Sequence, residues 1–243
     1  MKRTFCGVVL AALALMWMPS PAQAAPAAVC IAKSLTGVLR MRAKGTCLAT
    51  EIQIGSFDGT TLQLSGINLQ IVSGAGATDA PVNGKGNLIV GYNANTGGHG
   101  RTGSHNLIVG DEHEYSSFGG LVAGLQNTVA GPWASVSGGN QNTASGTGAS
   151  VSGGAINTAS GSTASVSGGF RNTASGGDSW VSGGSTNTAS QNAASVSGGK
   201  NNTASGTAAS VSGGQNLTQP VDEGWAAGSA TPTNAINGDF ESP

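Results

Sequence analysis

Side chains that bind metals or transfer protons are concentrated in one short segment of the chain. The run Asp-Glu-His-Glu occupies positions 111–114, and His99 and His105 lie shortly before it. Carboxylate and imidazole groups are common metal ligands, but this run lacks the fixed ligand spacing of a recurring metal site. We interpret the segment as a polar loop, with a metal site as the alternative, and predict no metal and no cofactor.

The same segment contains residue types that could act in nucleophilic catalysis. His113 could pair with Ser104 or Ser116, but neither serine lies in the strand–turn–helix context that exposes a nucleophile. The glycine-rich stretches lack the lysine and the following helix of a phosphate-binding loop. A glycan-cleaving enzyme needs paired carboxylates, and the regular repeats described next contain a single acid, Asp178. We therefore predict that the protein is not an enzyme.

The elements that must position any functional group come from a strict repeat. From Ser135 onward the chain repeats every 15 residues as S-V-S-G-G-x-x-N-T-A-S-G-x-x-A. A more apolar copy begins at Leu121, and the pattern decays at Leu217. The repeat predicts two structural ladders, one of valine and one of asparagine: Val136, Val151, Val166, Val181, Val196 and Val211, and Asn142, Asn157, Asn172, Asn187 and Asn202.

Each repeat contains two short stretches in which side chains alternate between two faces. In Ser150-Val151-Ser152 the valine lies on one face of the strand and the serines lie on the other. The side chains of Asn157-Thr158-Ala159-Ser160 alternate in the same way. Such alternation is typical of half-buried strands, and the glycines between the stretches suit tight turns. The predicted fold is all-β: a parallel β-solenoid of about 15-residue coils, stacked about 4.8 Å apart with asparagine hydrogen-bonded to its copy in the next coil.

The predicted core of each coil is thin, because one valine and two alanines are its main apolar side chains. Ordering so many glycines costs conformational entropy that this small apolar area offsets poorly. We therefore expect lateral association into a homo-oligomer, most simply a trimer that buries a shared face of the solenoid.

Composition and charge exclude several classes of partner. The chain has 10 basic and 11 acidic residues, so it carries no basic stripe for nucleic acid and no polybasic patch for a membrane surface. Glycine accounts for 41 of 243 residues, as in a flexible linker. The strict period argues against a linker.

The N-terminus has the features of an export signal. Lys2 and Arg3 precede an apolar run over positions 7–17 that is too short to span a membrane, and Ala22-Gln23-Ala24 fits a cleavage site. We predict a signal peptide over residues 1–24, no membrane insertion after its removal, and a secreted, extracellular or cell-surface location on a bacterium. The two remaining cysteines, Cys30 and Cys47, are expected to form a disulfide; the alternative is two free thiols or a metal half-site.

The predicted domain organisation follows from these boundaries. A small disulfide-containing β module covers residues 25–60, irregular capping coils cover 61–119, regular coils cover 120–218, and a flexible tail covers 219–243. Two similar phrases, over residues 86–93 and 103–110, are interpreted as irregular first coils because both contain Asn-Leu-Ile-Val-Gly.

At Ser-Val-Ser-Gly-Gly and Asn-Thr-Ala-Ser-Gly the chain resembles the head repeats of trimeric autotransporter adhesins, of the YadA-like or haemagglutinin type. The resemblance covers about residues 121–217 and implies a left-handed β-roll, three chains side by side and adhesion at a cell surface. The repeat here is longer than that family's usual one and carries an asparagine in place of a small residue. No segment of the sequence resembles the family's coiled-coil stalk or membrane anchor, so we expect the protein to be released or held by a partner.

The leading functional hypothesis is therefore a structural or adhesive surface protein. A host, matrix or glycan ligand would meet the residues that break the repeat, namely Phe170, Arg171, Asp178 and Trp180, although lateral packing in an oligomer explains them equally well. The alternative is ice or polysaccharide binding, because threonine recurs on one outward face at Thr143, Thr158, Thr173, Thr188 and Thr203.

Overall fold

The computed structural model describes residues 27–32, 39–42, 47–49, 51–58 and 60–229, and all regular structure in them is β-strand. The chain divides into two compact units, Met1–Leu69 and Gln70–Pro243. The predicted signal peptide lies outside the described residues. Within them, no helix has the length and apolar character needed to cross a membrane.

The N-terminal unit contains a four-stranded antiparallel sheet with strand order β2-β1-β3-β4. Cys30 in β1 is buried and forms the predicted disulfide with Cys47, with the two Cα atoms 5.7 Å apart. The unit ends at Leu69 rather than at residue 60, because the fourth strand pairs with the third. The strands are β1 (Ala27–Ala32), β2 (Leu39–Arg42), β3 (Glu51–Phe57) and β4 (Leu62–Leu64).

Asp58 shapes the turn between β3 and β4. Its Oδ1 accepts hydrogen bonds from the Thr60 N–H at 2.9 Å and the Thr61 N–H at 2.7 Å. Hydrogen bonds to the ionised carboxylate favour it, so the Thr61 and Thr60 amides hold the pKa of Asp58 below its usual value. This is the local side-chain-to-backbone bonding that makes aspartate a frequent turn residue.

The second unit is the solenoid, whose chain alternates between two parallel sheets. We name the ten-stranded one the serine sheet and the eight-stranded one the threonine sheet, after the residue that each regular coil contributes. The serine sheet contains β5 (Leu88–Val90), β6 (Leu107–Asp111), β8 (Leu121–Leu125), β10 (Ser135–Val136), β12 (Ser150–Val151), β14 (Ser165–Val166), β16 (Trp180–Val181), β18 (Ser195–Val196), β20 (Ser210–Gln215) and β22 (Trp225–Ser229). The threonine sheet contains β7 (Glu114–Tyr115), β9 (Thr128–Val129), β11 (Thr143–Ala144), β13 (Thr158–Ala159), β15 (Thr173–Ala174), β17 (Thr188–Ala189), β19 (Thr203–Ala204) and β21 (Thr218–Gln219).

Every regular strand pairs with its own copy in the next coil. Ser150 pairs with Ser165 in the serine sheet, and Thr143 pairs with Thr158 in the threonine sheet. The two irregular phrases also stack in register, since β5 pairs with β6 and β6 with β8. The predicted all-β parallel solenoid with about 15-residue spacing is thus confirmed.

The interior of the solenoid is one continuous column of small apolar side chains. In the coil that begins at Ser150, Val151, Ala159 and Ala164 are completely buried, and the serines and threonines between them face outward. Larger side chains fill the first coils, where Ile108, Tyr115 and Val129 are buried. All of these residues belong to a single hydrophobic cluster.

The glycine turn of each coil uses two left-handed backbone conformations. The second glycine of each pair has a positive φ, +80° at Gly154, and a Cβ there would lie 2.2 Å from the Gly169 carbonyl oxygen. Two residues later the chain is left-handed again at a non-glycine position, with φ 59° at Ile156. The Ile156 N–H donates to the Asn140 carbonyl of the preceding coil at 3.0 Å, which fixes this conformation.

The solenoid extends to Ser229, beyond the predicted end of the regular coils at residue 218. Leu217 takes the place of the ladder asparagine, and the buried Gln219 takes the place of an inward alanine. The Gln219 Nε2 donates to the Trp225 carbonyl at 3.0 Å, and its Oε1 accepts from the Val221 N–H at 3.1 Å. Residues 219–229 therefore form a last coil rather than a tail, and 230–243 lie outside the described residues.

Candidate binding faces of the solenoid

The asparagine ladder links the coils in register from inside the solenoid. Asn172 is fully buried; its Oδ1 accepts from the Asn187 N–H at 2.9 Å, and its Nδ2 donates to the carbonyls of Gly168 at 2.8 Å and Gly184 at 3.1 Å. One side chain thus connects its own glycine turn, the next glycine turn and the next asparagine. The same three bonds recur at every ladder position from Asn142 to Asn202.

The ladder position between Asn93 and Asn127 is a histidine, which the sequence interpretation assigns to a loop. The His113 N–H donates to the Asn93 Oδ1 at 3.0 Å, and its Nδ1 accepts from the Asn127 N–H at 3.2 Å. Its Nε2 lies 3.1 Å from the Val109 carbonyl, four residues earlier, where a ladder asparagine places its Nδ2. The alignment of Gly110-x-x-His113 with Gly124-x-x-Asn127 was the signal that could have revealed this position.

The acidic neighbours of His113 are engaged with the coils before and after them rather than with one another. The Asp111 carboxylate accepts from the Ala94 N–H, and the Glu112 carboxylate accepts from the Thr96 hydroxyl and the Gln126 amide. The Thr96 bond, followed by the Gln126 bond, holds the pKa of Glu112 below its usual value. In the described part of the chain no group of three or more histidine, cysteine, aspartate or glutamate side chains is placed to hold a metal ion.

The serine proposed as a partner of His113 is bonded elsewhere. The Ser104 hydroxyl donates to the Asn83 Oδ1 and accepts from the Asn83 N–H, at 3.1 and 3.0 Å. Both ring nitrogens of His113 face backbone groups, namely the Asn127 N–H and the Val109 carbonyl. The structure therefore does not bring His113 and Ser104 together as a nucleophilic pair.

A second asparagine ladder occurs only in the first coils and was also missed. The Asn106 N–H donates to the Asn87 Oδ1 at 2.8 Å, and the Asn106 Oδ1 accepts from the Gly120 N–H at 2.8 Å. Regular coils have a buried alanine at this step, such as Ala134. The repeated Asn-Leu-Ile-Val-Gly phrase was the sequence signal for it.

A column of small hydroxyl side chains forms the outward face of the serine sheet, and Trp180 interrupts it. Trp180 pairs with Ser165 in the preceding coil and Ser195 in the next one, and its side chain is 41% exposed. Trp225 has the same place three coils later, where its indole N–H donates to the Ser212 hydroxyl at 2.6 Å. Trp180 is therefore a large, partly exposed apolar side chain in a column of serines.

The other three residues that break the repeat lie at turns. Phe170 is 43% exposed, and the Arg171 guanidinium lies 5.1 Å from the centroid of its ring, which is a cation–π distance. The Asp178 carboxylate accepts from the Thr163 hydroxyl of the preceding coil. The ring and the guanidinium are thus held as one exposed pair.

The first coils present an aliphatic area on the serine sheet, which we call the aliphatic patch. It comprises two outward columns, because Ile108 and Val122 between them point into the core. Leu88, Val90, Leu107 and Val109 are all more than one-third exposed, and Leu121 is half-buried. Adjacent exposed aliphatic side chains of this kind are typical of an interaction surface.

The threonine sheet presents an unbroken outward column of threonine. Thr128 pairs with Thr143, and the pairing continues in register through each coil to Thr218. The next outward position along each strand is serine in the regular coils, as at Ser160. The face is therefore a two-column array of hydroxyl groups.

A pocket of about 540 Å³ lies beside the loop of residues 70–78. His105 is the one ionisable side chain in its lining, and its Nε2 accepts from the Ser73 N–H at 2.9 Å. The Nδ1 of His105 is buried without a hydrogen-bond partner in the described structure. A single imidazole provides no acid–base pair, so the repetitive faces remain the main candidate site.

Comparisons with protein-family models and with curated proteins find no match to this chain.

Proposed function

We propose that this chain is an exported structural or adhesive repeat protein, without catalytic activity, that binds a surface ligand through the outer faces of its solenoid. The observation that carries the proposal is the in-register stacking of one short repeat, which displays the same hydroxyl groups along two sheets. Such a surface suits an extended ligand better than a small substrate. The Cys30–Cys47 disulfide fits a non-reducing compartment outside the cytosol.

The residues that break the repeat are the proposed contact points for a glycan or a matrix protein. Trp180 supplies an exposed ring, and Phe170 with Arg171 supplies a second ring and a charge. Aromatic and arginine side chains contribute much of the binding energy at protein interfaces. The resemblance of the repeat to adhesin head repeats points in the same direction.

A glycan and matrix binding screen on the mature protein tests this role. Trp180→Ser installs the residue of the adjacent coils and should preserve the fold while weakening binding by about tenfold or more. Thr158→Lys, on the opposite sheet, is the matched control and should bind as the wild type does. Failure of the wild type to bind any glycan or matrix component, or equal binding by both variants, would contradict the assignment.

Lateral association is the second part of the proposal, and the aliphatic patch supports it. Leu107 and Val109 lie in adjacent outward columns of the serine sheet, so another copy of the chain can bury both. The small apolar core of the regular coils stabilises a single chain weakly, so burial of further apolar area between chains favours association. We propose a trimer, and a solution mass of three chains by light scattering is expected.

Two double variants, one on each sheet, test whether the aliphatic patch forms the contact between chains. Leu107→Ser with Val109→Ser should shift the protein toward the mass of one chain, whereas Thr143→Ser with Thr158→Ser on the other sheet should leave the mass unchanged. A single-chain mass for the wild type would refute the oligomer.

Ice or polysaccharide binding is a second candidate, favoured by the unbroken threonine column. Hydroxyl groups repeating about every 4.8 Å along a flat sheet match the spacing of stacked strands and can order water or sugar hydroxyls. Thermal hysteresis and ice-affinity partition test it. Thr158→Lys should abolish the activity and Trp180→Ser should retain it, the reverse of the order expected for glycan adhesion.

A further inference from the structure

One member of the polar ladder, His113, differs chemically from the asparagines before and after it. His113 occupies the ladder position between Asn93 and Asn127 and is fully buried. Asparagine offers an oxygen that can only accept and a nitrogen that can only donate. Imidazole reproduces this pair only as the neutral tautomer with hydrogen on Nε2, because Nδ1 must accept from the Asn127 N–H.

We propose that His113 is an acid-sensitive link, at which protonation of the ring breaks the bond to the next coil and loosens the first coils from the regular stack. A proton that binds Nδ1 points at the Asn127 N–H, so two donors face each other in place of a donor and an acceptor. The amide then loses its partner inside the core, and a positive charge is buried without a carboxylate partner. The proposal concerns regulation of the fold and does not depend on which ligand the outer faces bind.

Of the elements packed before and after His113, the preceding loop brings a charged side chain, Arg101, into contact with it. Arg101 in the preceding loop donates from Nε to the His113 carbonyl at 3.0 Å, and its terminal nitrogens bond to the Asn93 and Ala94 carbonyls. The next coil presents only the uncharged Gly124 and Asn127 to the ring. No group from the preceding or following coil therefore offsets a charge on His113, and the Arg101 charge opposes it.

The acidic residues of the same segment do not offset the charge either. The Asp111 carboxylate accepts from the Ala94 N–H, and the Glu112 carboxylate is held by Thr96 and Gln126. Glu114 lies in the outward threonine column, paired with Thr128. Both ring contacts of His113 are instead to backbone groups.

The direction of the pH effect follows from the burial of the ring. Burial, with a smaller contribution from Arg101, lowers the pKa of His113 below its usual value of 6.5, against an opposing effect of the Val109 carbonyl. The unfolded chain therefore binds a proton at a higher pH than the folded chain. The stability that depends on neutral His113 is complete above about pH 6.5 and decreases as the pH falls below it.

Amide hydrogen exchange at Asn127 tests the link, with intrinsic exchange rates corrected for pH. Protection of the Asn127 N–H should fall about tenfold per pH unit below roughly pH 6.5. The Thr188 N–H, bonded to the Asn202 carbonyl at 2.8 Å in the regular coils, should stay protected. Equal protection of Asn127 at pH 7.5 and pH 5 would overturn the proposal.

Two variants isolate His113 from the other histidines. His113→Asn installs the residue of the later ladder positions and should remove the pH dependence, whereas His99→Asn should retain it. An unchanged pH dependence in His113→Asn would refute the assignment. In the wild type, nitrogen chemical shifts should show the neutral ring with hydrogen on Nε2 at pH 7.5; hydrogen on Nδ1 would also overturn the proposal.

Discussion

The regular coils and the first coils have the same two-sheet architecture but different means of holding it together. In the regular coils one valine, two alanines and one asparagine fill the interior, as at Val151, Ala159, Ala164 and Asn157. The first coils bury Ile108 and Tyr115, and have two polar ladders instead of one.

The difference shows how a solenoid can dispense with a large apolar core. When side-chain volume decreases, the ladder asparagine takes over part of the stabilisation, because its buried side chain forms hydrogen bonds with three backbone groups. The first coils contain a histidine in that ladder, and its ring bonds to the Val109 carbonyl and the Asn127 N–H. The regular coils therefore give a uniform surface, and the first coils contain most of the ionisable groups.

Removal of one ladder asparagine is expected to have the largest effect. Asn172→Ala leaves the Gly168 carbonyl and the Asn187 N–H without a partner, whereas the Gly184 carbonyl keeps its hydrogen bond from the Phe170 N–H at 3.0 Å. At about 1–3 kcal/mol for each of these two groups, the free energy of unfolding should fall by about 2–6 kcal/mol. Denaturant unfolding measures it, and Asn192→Ala at an exposed position is the control. Similar losses in both variants would show that the ladder contributes little.

The next largest loss of stability is expected from a substitution in the glycine turn, whose carbonyls accept hydrogen bonds from the ladder asparagines. Gly154→Ala introduces a Cβ 2.2 Å from the Gly169 carbonyl oxygen at a φ of +80°. The left-handed conformation alone costs about 1–2 kcal/mol, and relief of the overlap adds to it, so we expect a loss of about 3 kcal/mol. The adjacent Gly153 has open space around its Cβ position, so Gly153→Ala should change stability little in the same thermal melts. A tolerated Gly154→Ala would mean that the turn is not fixed as described.

A pair of truncations compares the two cores directly. Ile108 and Val166 are both fully buried in the inward column of the serine sheet. Ile108→Ala should cost about 3 kcal/mol, and Val166→Ala about 1.5 kcal/mol for two buried methyl groups. Unfolding in urea measures both values. If Val166→Ala is the more damaging of the two, the regular coils depend on apolar packing more than the comparison suggests.

Alternation and spacing were enough to predict the fold class and the two faces of each strand. Ser-Val-Ser and Asn-Thr-Ala-Ser place valine, asparagine and alanine inside because strand side chains alternate by necessity. The sequence could not show that the solenoid continues past Leu217, because backbone pairing persists without a ladder asparagine: the Leu217 N–H still donates to the Asn202 Oδ1 at 2.9 Å.

The assignment of His113 to a loop was wrong for a different reason. An acidic segment with His113 has the composition of a loop, and composition carries no information about whether imidazole replaces an amide inside a coil. Only its spacing from Gly110 contained that information. The left-handed turn residues were missed as well, since Gln141, Ile156 and Arg171 share no side-chain chemistry, and the coil imposes their φ through backbone bonds.

The smallest expected effect is a gain in stability at one of these turns. Ile156 is β-branched and has a φ of 59°, a conformation that such side chains adopt at a cost. Asn201 has the same place in a later coil, and asparagine tolerates the left-handed region. Ile156→Asn should therefore raise the free energy of unfolding by about 1 kcal/mol, whereas the reverse change, Asn201→Ile, should lower it by a similar amount. Thermal melts of both variants check the pair. A loss of stability in Ile156→Asn would mean that packing of the half-exposed isoleucine outweighs the strain of its backbone, and that side-chain contacts stabilise the turns of the regular coils as well as their interior.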